Sequence, residues 1–171
     1  MALPRLPSLH EVWDNPSLLL NYPPSVTAEI FARFQQIEQA VLGGNDIPPD
    51  PISLAIKYPR FRWMDARHLH YLSEEVAATI DRNGAVIVAM APRHAKTHTC
   101  TIWSPFWFLA KRPDAYVMVI CYNQTFARKW GVRVRGLVEV YGKEYGLAID
   151  PRQAAADDWA LVSGGGMKCV G

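Results

Sequence analysis

Eight residues in the middle of the chain have the types and the spacing of a phosphate-binding loop. The P-loop pattern is Gly, four residues, Gly, Lys and then Ser or Thr, and it lies between a buried strand and a helix. In this chain the corresponding residues are Met90, Ala91, Pro92, Arg93, His94, Ala95, Lys96 and Thr97. The Lys and the Thr are in place, whereas Met90 and Ala95 stand where the pattern has its glycines.

The chemistry predicted for this loop is the binding of a nucleoside triphosphate with Mg²⁺. A helix N-terminus presents unpaired N–H groups and a partial positive charge, which hold phosphate oxygens whatever the loop side chains are. Lys96 would supply a cation to the β- and γ-phosphates, and the Thr97 hydroxyl would bind Mg²⁺. If the Ala95 position needs a positive φ, alanine there costs on the order of 1 kcal/mol relative to glycine.

From the pattern alone, an ordinary strand–helix turn explains these residues equally well. A loop arginine such as Arg93 is usually a solvated charge, and a loop histidine such as His94 is usually a polar filler. The elements on either side of the loop therefore decide between the two interpretations.

Those elements predict an α/β domain. Apolar residues at intervals of three or four indicate a helix from Met64 to the stop signal at Asn83 and Gly84. Residues 85–90 are apolar without alternation, which predicts a strand covered on both faces. After the loop we expect a helix over residues 96–110, a second buried strand over 116–121, a helix over 124–141 and two weaker strands over 159–162 and 167–170. This order is typical of α/β domains with right-handed crossovers.

Residues 1–60 are interpreted as an N-terminal appendage to a domain over residues 61–171. Three proline clusters interrupt this part of the chain, and a helix is predicted over residues 26–42. Residues 47–59 then have the composition of a proline-stiffened linker.

Composition narrows the class of protein. Half of the 171 residues are apolar and a fifth are charged, which is an ordinary globular balance. The longest apolar runs are too short to cross a bilayer and the N-terminus lacks a secretion signal, so we expect a soluble, cytoplasmic protein without a membrane partner. The three cysteines lie far apart without ligand spacing, which argues against a zinc site.

A basic second half would suit a polyanionic ligand. Residues 84–171 contain 11 Lys and Arg against 6 Asp and Glu, although ordinary surface charge explains this balance as well. The helix over residues 124–141 presents four basic side chains beside its apolar stripe, and these are candidate DNA phosphate contacts: Arg128, Lys129, Arg133 and Arg135. A solvated basic helix face is the alternative.

The loop closely resembles the Pro-Pro-Arg-His-Gly-Lys-Ser loop of the large terminase subunits of tailed phages and prophages. Further segments resemble the same family in the correct order: residues 69–84, 119–127, 133–146, and the Trp-x-x-x-Gly-Gly-Gly-like strand pair over residues 158–171. The resemblance covers about residues 64–171, and residues 1–60 resemble no family that we can name. Ala95 departs from the family's glycine, which puts the tightness of nucleotide binding in question.

The resemblance implies a P-loop NTPase of the RecA-like (ASCE) type, here a partial three-layer αβα sandwich with a mainly helical appendage. It implies ATP and Mg²⁺ as cofactors, with residues 91–97 binding ATP, Thr97 binding the metal ion and Arg93 sensing the γ-phosphate. The family's activity is that of a motor that packages double-stranded DNA into procapsids in the host cytoplasm. Its partners would be a small terminase subunit and the portal, and the full-length subunit would form a homo-oligomeric ring.

The Walker B carboxylates and the nuclease domain of the family would lie beyond Gly171, so we expect the ATP-binding part alone within these residues. Two alternatives remain open at this point. The chain could be a fragment of a helicase-like P-loop ATPase, or a non-catalytic remnant that binds no nucleotide.

Overall fold

The computed structural model describes residues 15, 22–24, 26–28, 47–58, 63 and 65–171. The chain divides into two compact units, Met1–Gly43 and Gly44–Gly171. In the first unit, residues 26–28 are helical, and the backbone N–H groups of Val26 and Thr27 donate to Pro23 O at 3.0 Å. The rest of the helix predicted over residues 26–42 lies outside the described residues.

The second unit begins with helix α1, Pro51–Ile56, which is capped by a buried aspartate. The Asp50 carboxylate accepts hydrogen bonds from the N–H groups of Ile52 (2.9 Å) and Ser53 (3.1 Å). It also accepts from the hydroxyls of Ser53 and Ser73, both at 2.5 Å. Since Ser73 lies on the next helix, one carboxylate both starts α1 and fixes it to its neighbour.

The linker predicted over residues 47–59 is therefore wrong for residues 51–56, which form helix α1. Proline is tolerated in the first turn of a helix because its missing N–H would be unpaired there in any case, so Pro51 starts a helix here. Leu54, Ala55 and Tyr58 are buried in the main core, and the Trp107 indole donates to Pro48 O at 2.8 Å. The boundary predicted at residue 60 assigned this helix to the appendage, whereas it belongs to the same unit as the later residues.

Helix α2, Arg67–Asp81, confirms the helix that the apolar spacing predicted before the loop. Its end is a Schellman motif: Gly84 N donates to Thr79 O at 2.9 Å and Asn83 N donates to Ile80 O at 3.1 Å. Asn83, and not Gly84, takes the left-handed conformation, with φ of 52°.

A buried helical stretch follows the loop. It comprises a π-helical turn, His98–Trp103, and helix α3, Ser104–Lys111. At their junction Ser104 N and Ser104 Oγ both donate to Thr99 O, the Oγ at 2.7 Å. Trp103, Phe106 and Trp107 are 0–1% exposed, so this stretch forms the centre around which the other elements pack.

A four-stranded mixed sheet completes the unit. Its strands are β1 (Tyr116–Ile120), β2 (Ile149–Ala154), β3 (Asp158–Leu161) and β4 (Gly166–Val170). The strand order is β1-β4-β3-β2, with β1 parallel to β4 and the pairs β4–β3 and β3–β2 antiparallel. Helix α4 spans Gln124–Tyr141, as predicted, and ends in a 3₁₀ turn, Gly142–Tyr145. The fold is thus α/β, and β2 is a strand that the sequence did not predict.

Only one face of this sheet is covered by the described residues. Trp159, Met167 and Cys169 face the core with at most 2% exposure. On the opposite face Met118 and Ile120 are 62% and 75% exposed, so β1 is not the fully buried strand that was predicted. Among the described residues there is accordingly one helical layer on the sheet, not the two of a three-layer sandwich.

The strand predicted over residues 85–90 is absent from the sheet. These residues have no assigned secondary structure, and Val86 and Ile87 are 44% and 96% exposed. An apolar run forms a strand only where a neighbouring strand can accept and donate its backbone hydrogen bonds. In the described residues the nearest sheet edge is β1, and no backbone hydrogen bond joins residues 85–90 to it.

Helix α4 lies very close to the backbone of residues 156–157 at one of its glycines. A Cβ at Gly131 would lie 2.3 Å from Ala156 O, and the Trp159 indole donates to Gly131 O at 3.2 Å. At Gly136, on the same helix, a Cβ would meet nothing within 4 Å.

We expect Gly131→Ala to lower the free energy of unfolding by about 2–3 kcal/mol, because α4 must move away from residues 156–157. Gly136→Ala is the matched control and should raise that free energy by up to about 1 kcal/mol, as alanine favours a helix over glycine. Urea unfolding of both variants measures the two effects, and changes of the same sign would contradict this packing.

The stabilisation that Asp50 provides depends on pH. Burial alone would raise the pKa of Asp50, but its hydrogen bonds from Ser53, Ser73 and the Ile52 N–H together hold that pKa below the ordinary value of 3.8. A lowered pKa stabilises the fold above the unfolded-state value, and this stabilisation is lost as the pH falls through the folded-state value. At pH 7 we expect Asp50→Asn to lower the free energy of unfolding by about 2 kcal/mol. This loss of stability relative to wild type should shrink below about pH 4, where the carboxylate becomes protonated.

Thermal unfolding of wild type and Asp50→Asn from pH 7 to pH 3 measures this difference. Asp114→Asn replaces an exposed carboxylate and is the control. An equal cost of Asp50→Asn at pH 7 and pH 3 would show that the charge of Asp50 contributes nothing.

Candidate functional site

The predicted loop lies between the end of α2 and the start of the buried helical stretch. Ala91, Pro92, Arg93 and His94 are exposed, so this part of the loop is accessible from solvent. The last three residues, Ala95, Lys96 and Thr97, are half-buried.

Two loop residues adopt a backbone conformation that usually requires glycine. Arg93 has φ of 64° and Ala95 has φ of 57°, and no other non-glycine residue described has a positive φ except Asn83. His94 between them has a negative φ. Such alternation turns successive N–H groups toward one side and forms a concave anion-binding surface, called a nest. The position of the missing second glycine therefore does take the left-handed conformation.

The helix begins directly after Ala95. Thr99 N and Thr99 Oγ1 donate to Ala95 O at 2.9 and 3.2 Å, so the carbonyl of the left-handed residue is used by the first turn. Lys96 and Thr97 are thereby placed in the first helical positions, where backbone N–H groups have no intrahelical partner. Among the described residues, Lys96 forms no ion pair.

The Lys96 ammonium acts electrostatically on a neighbouring thiol. Burial raises the pKa of Cys100, and the positive charge of Lys96 opposes part of that rise. Cys100, Cys121 and Cys169 are all free thiols.

Histidines surround the loop on two sides. The His94 Nδ1 lies 2.8 Å from Pro92 O, which holds the imidazole against its own loop. Its ring also meets the edge of the His68 ring at 5.6 Å between centroids. His68 belongs to the first turn of α2, so the start of that helix reaches the exposed side of the loop.

On another side, His98 directly follows the Lys-Thr pair and lines a pocket of about 350 Å³ with Ile102, Arg133 and Tyr141. Burial lowers the pKa of His98, and the positive charge of Arg133 lowers it further. The Trp63 ring stands edge-on to His98 at 6.3 Å. The sequence did not single out His98 or Trp63, although adjacency to Lys96 and Thr97 was a usable signal for His98.

The four candidate DNA contacts divide into two pairs. Arg128 and Lys129 are exposed on α4. Arg135 is engaged in the fold, because its Nη1 donates to Ala154 O at 2.6 Å and its Nε lies 3.2 Å from Glu139 Oε1. The Arg133 guanidinium lies over the Trp130 ring at 4.9 Å.

Two adjacent carboxylates stabilise the sheet. Asp158 accepts from the Tyr116 hydroxyl at 3.0 Å and pairs with Lys168 Nζ at 3.2 Å. Asp157 accepts from the Gln124 amide at 2.6 Å. Both are therefore used in contacts between elements.

Comparison of the chain with protein-family models, with curated proteins and with solved structures gave no match. None of the described helices is both long enough and apolar enough to cross a membrane.

We expect Ala95→Gly to stabilise the protein, because glycine removes the cost of a left-handed alanine, on the order of 1 kcal/mol. In a domain of this size that corresponds to a rise in melting temperature of about 2–4 °C. Ala91→Gly is the matched control: Ala91 has no positive φ, so it should gain nothing. A melting temperature that falls equally in both variants would show that Ala95 is unstrained.

Proposed function

We infer that residues 91–97 bind the phosphates of Mg-ATP, and that the chain is the ATP-binding part of a terminase-like motor that packages double-stranded DNA. One observation supports the nucleotide site above all. Two left-handed residues, Arg93 and Ala95, form the loop immediately before a buried helix that starts with Lys96 and Thr97.

The energetic cost of this backbone favours a ligand-binding role for the loop. Left-handed non-glycine residues cost of order 1–3 kcal/mol each and cluster where a backbone is shaped for a ligand. Alternation of this kind is typical of nests, and here it lies at the positive end of a helix dipole, which favours phosphate binding. Lys96 would add a cation there.

The loop also fits Mg²⁺ in the manner that phosphate sites use. Mg²⁺ keeps several water ligands and takes phosphate oxygens and one or two protein oxygens, so a single hydroxyl from Thr97 is sufficient on the loop side. When bound, the ion would neutralise the charge of the phosphates. Arg93 is exposed and, within the described residues, forms no ion pair, so its guanidinium is available to the terminal phosphate.

DNA contact is supported for part of the basic helix only. Arg128 and Lys129 are exposed and could each neutralise a DNA phosphate. Arg135 is bound to backbone carbonyls and to Glu139, so it contributes to the fold and not to this surface. Arg133 lines the pocket beside His98, which directly follows the proposed nucleotide loop, so we assign it to that side of α4.

Nucleotide binding is measured by titrating the protein with a fluorescent ATP analogue, with and without Mg²⁺. We expect saturable binding that Lys96→Ala weakens at least about tenfold, since a charge-assisted phosphate contact contributes roughly 1.5–3 kcal/mol. Thr97→Ala should abolish the enhancement by Mg²⁺. Lys129→Ala, which removes an exposed lysine away from the loop, should leave the affinity unchanged.

An absence of saturable binding in the folded wild-type protein would refute the nucleotide site and favour the remnant without nucleotide binding. Binding that Lys96→Ala leaves intact would place the nucleotide elsewhere. For the packaging motor, double-stranded DNA should bind with a salt dependence that decreases in an Arg128→Ala, Lys129→Ala double variant. A clear preference for single-stranded DNA would favour the helicase-like alternative.

A further inference from the structure

Two histidines meet at the exposed side of the loop, although they lie far apart in the sequence. His68 is in the first turn of α2, and His94 is in the loop itself. Their ring centroids are 5.6 Å apart, and the two ring planes are inclined at 68° to each other. Both residues are exposed, so dissolved ions can reach the pair from solvent.

The hydrogen bond of His94 determines which of its ring nitrogens is free. Pro92 O can only accept a hydrogen bond, so His94 Nδ1, at 2.8 Å from it, carries the proton of the neutral ring. The lone pair is then on Nε2. A histidine that binds a metal ion usually donates its other N–H to a carbonyl or a carboxylate in this way, which holds the ring in place and leaves one nitrogen for the ion.

The separation of the two rings fits one tetrahedral ion between them. At a metal–nitrogen distance of about 2.0–2.1 Å, two imidazoles on one tetrahedral zinc ion have ring centroids roughly 5–6 Å apart. The observed separation of 5.6 Å lies within that range, so both rings are within reach of one ion.

The other described histidines are in different surroundings. His70 Nε2 is already paired with Asp65 Oδ1 at 2.6 Å. The positive charge of Arg133 acts on His98, which disfavours a cation at that ring. The pair formed by His68 and His94 is therefore the best candidate for a metal ion among the described histidines.

We propose that His68 and His94 together bind one Zn²⁺ ion, which ties the loop to the start of α2 and keeps water in its remaining positions. Imidazole is a ligand that suits Zn²⁺, whereas Mg²⁺ takes oxygen ligands, so this site differs from that of the Mg²⁺ proposed to accompany the nucleotide. Among the described residues no group of three or more His, Cys, Asp or Glu side chains could hold a metal ion, so two imidazoles are the share that these residues supply.

The surroundings of the pair limit its affinity for the ion. Arg67 and Arg93 directly precede the two histidines in the sequence and repel a cation, but both are exposed, so solvent and salt screen their charges. Two protein ligands also hold zinc less tightly than the three or four of most zinc sites. We therefore expect reversible binding of one ion and not a permanently occupied structural site.

Zinc binding is measured on the whole chain, without an affinity tag and without nucleotide, by competition with a fluorescent zinc indicator. We expect one saturable site that His68→Gln and His94→Gln each weaken at least tenfold, because each variant removes one of the two ligands. An equal concentration of Mg²⁺ should not displace the zinc. Zn²⁺ should also raise the melting temperature of wild type more than that of either variant, since the two ligands come together only in the folded chain.

His98→Gln is the matched control, because His98 is another exposed histidine next to the loop but is not part of the pair. It should bind zinc as wild type does. Lys96→Ala should also bind zinc normally, so the zinc site is tested separately from the nucleotide site. Circular dichroism verifies that all variants fold, and His68 is exposed, so His68→Gln should not disturb the core.

Three results would overturn the proposal. The first is a lack of saturable zinc binding by the folded wild-type protein. The second is zinc binding that both His68→Gln and His94→Gln retain, which would place the ion on other groups such as the cysteine thiols. The third is an equal loss of binding in His98→Gln, which would mean that zinc attaches to exposed histidines without a defined site.

Discussion

The burial of one helical stretch, from the π-helical turn through α3, is the interaction on which the rest of the unit depends. Its aromatic side chains contact three other parts of the unit: Trp103 stacks with Tyr58 after α1, Phe106 meets the edge of Tyr145 in the turn after α4, and the Trp107 indole donates to Pro48 O. Fully burying a large apolar side chain contributes roughly 1.5–3 kcal/mol, so these three fix the axis of the helix. Everything placed at its N-terminus, including the loop, takes its position from this buried segment.

A fixed helix explains why the loop tolerates residues that disfavour its shape. A left-handed alanine or arginine persists only where the surrounding structure over-determines the backbone. Here Ala95 O is held by Thr99, and His94 is held by Pro92 O and by contact with His68. The loop therefore keeps two left-handed residues in place without glycine.

Local patterns predicted α2 and α4 well because helical periodicity is a property of short segments, whereas α1, only six residues long and started by a proline, was taken for a linker. Helix α4 has the predicted bounds, and the Asn83–Gly84 stop is a real C-terminal motif. Strand pairing is not local, and the sequence therefore misled where pairing decides the structure. Residues 85–90 have strand composition but pair with no strand that the structure describes, and β2 has polar residues but pairs with β3.

The same limit applies to the candidate site. The loop residues were found because they are contiguous in the sequence. The pattern has a glycine at the position of Ala95, so a positive φ was foreseen there, whereas the positive φ of Arg93 was not expected. His98 and Trp63 were missed because their proximity to the site depends on packing. Arg135 was taken for a surface charge, but it is held by carbonyls of residues 154 and 155 that no pattern could bring to α4.

The π-helical turn after the loop has a geometric consequence for chain length. A π-turn spans one residue more than an α-turn, as the bond from Ser104 N to Thr99 O records. The wider turn absorbs that extra residue, so the loop and α3 keep nearly the relative orientation that a continuous α-helix would give them. A deletion of one residue within His98–Trp103 would let the segment rewind as an α-helix and would leave Lys96 and Thr97 facing nearly the same way. This segment is thus the place where the helix can gain or lose one residue without turning the loop.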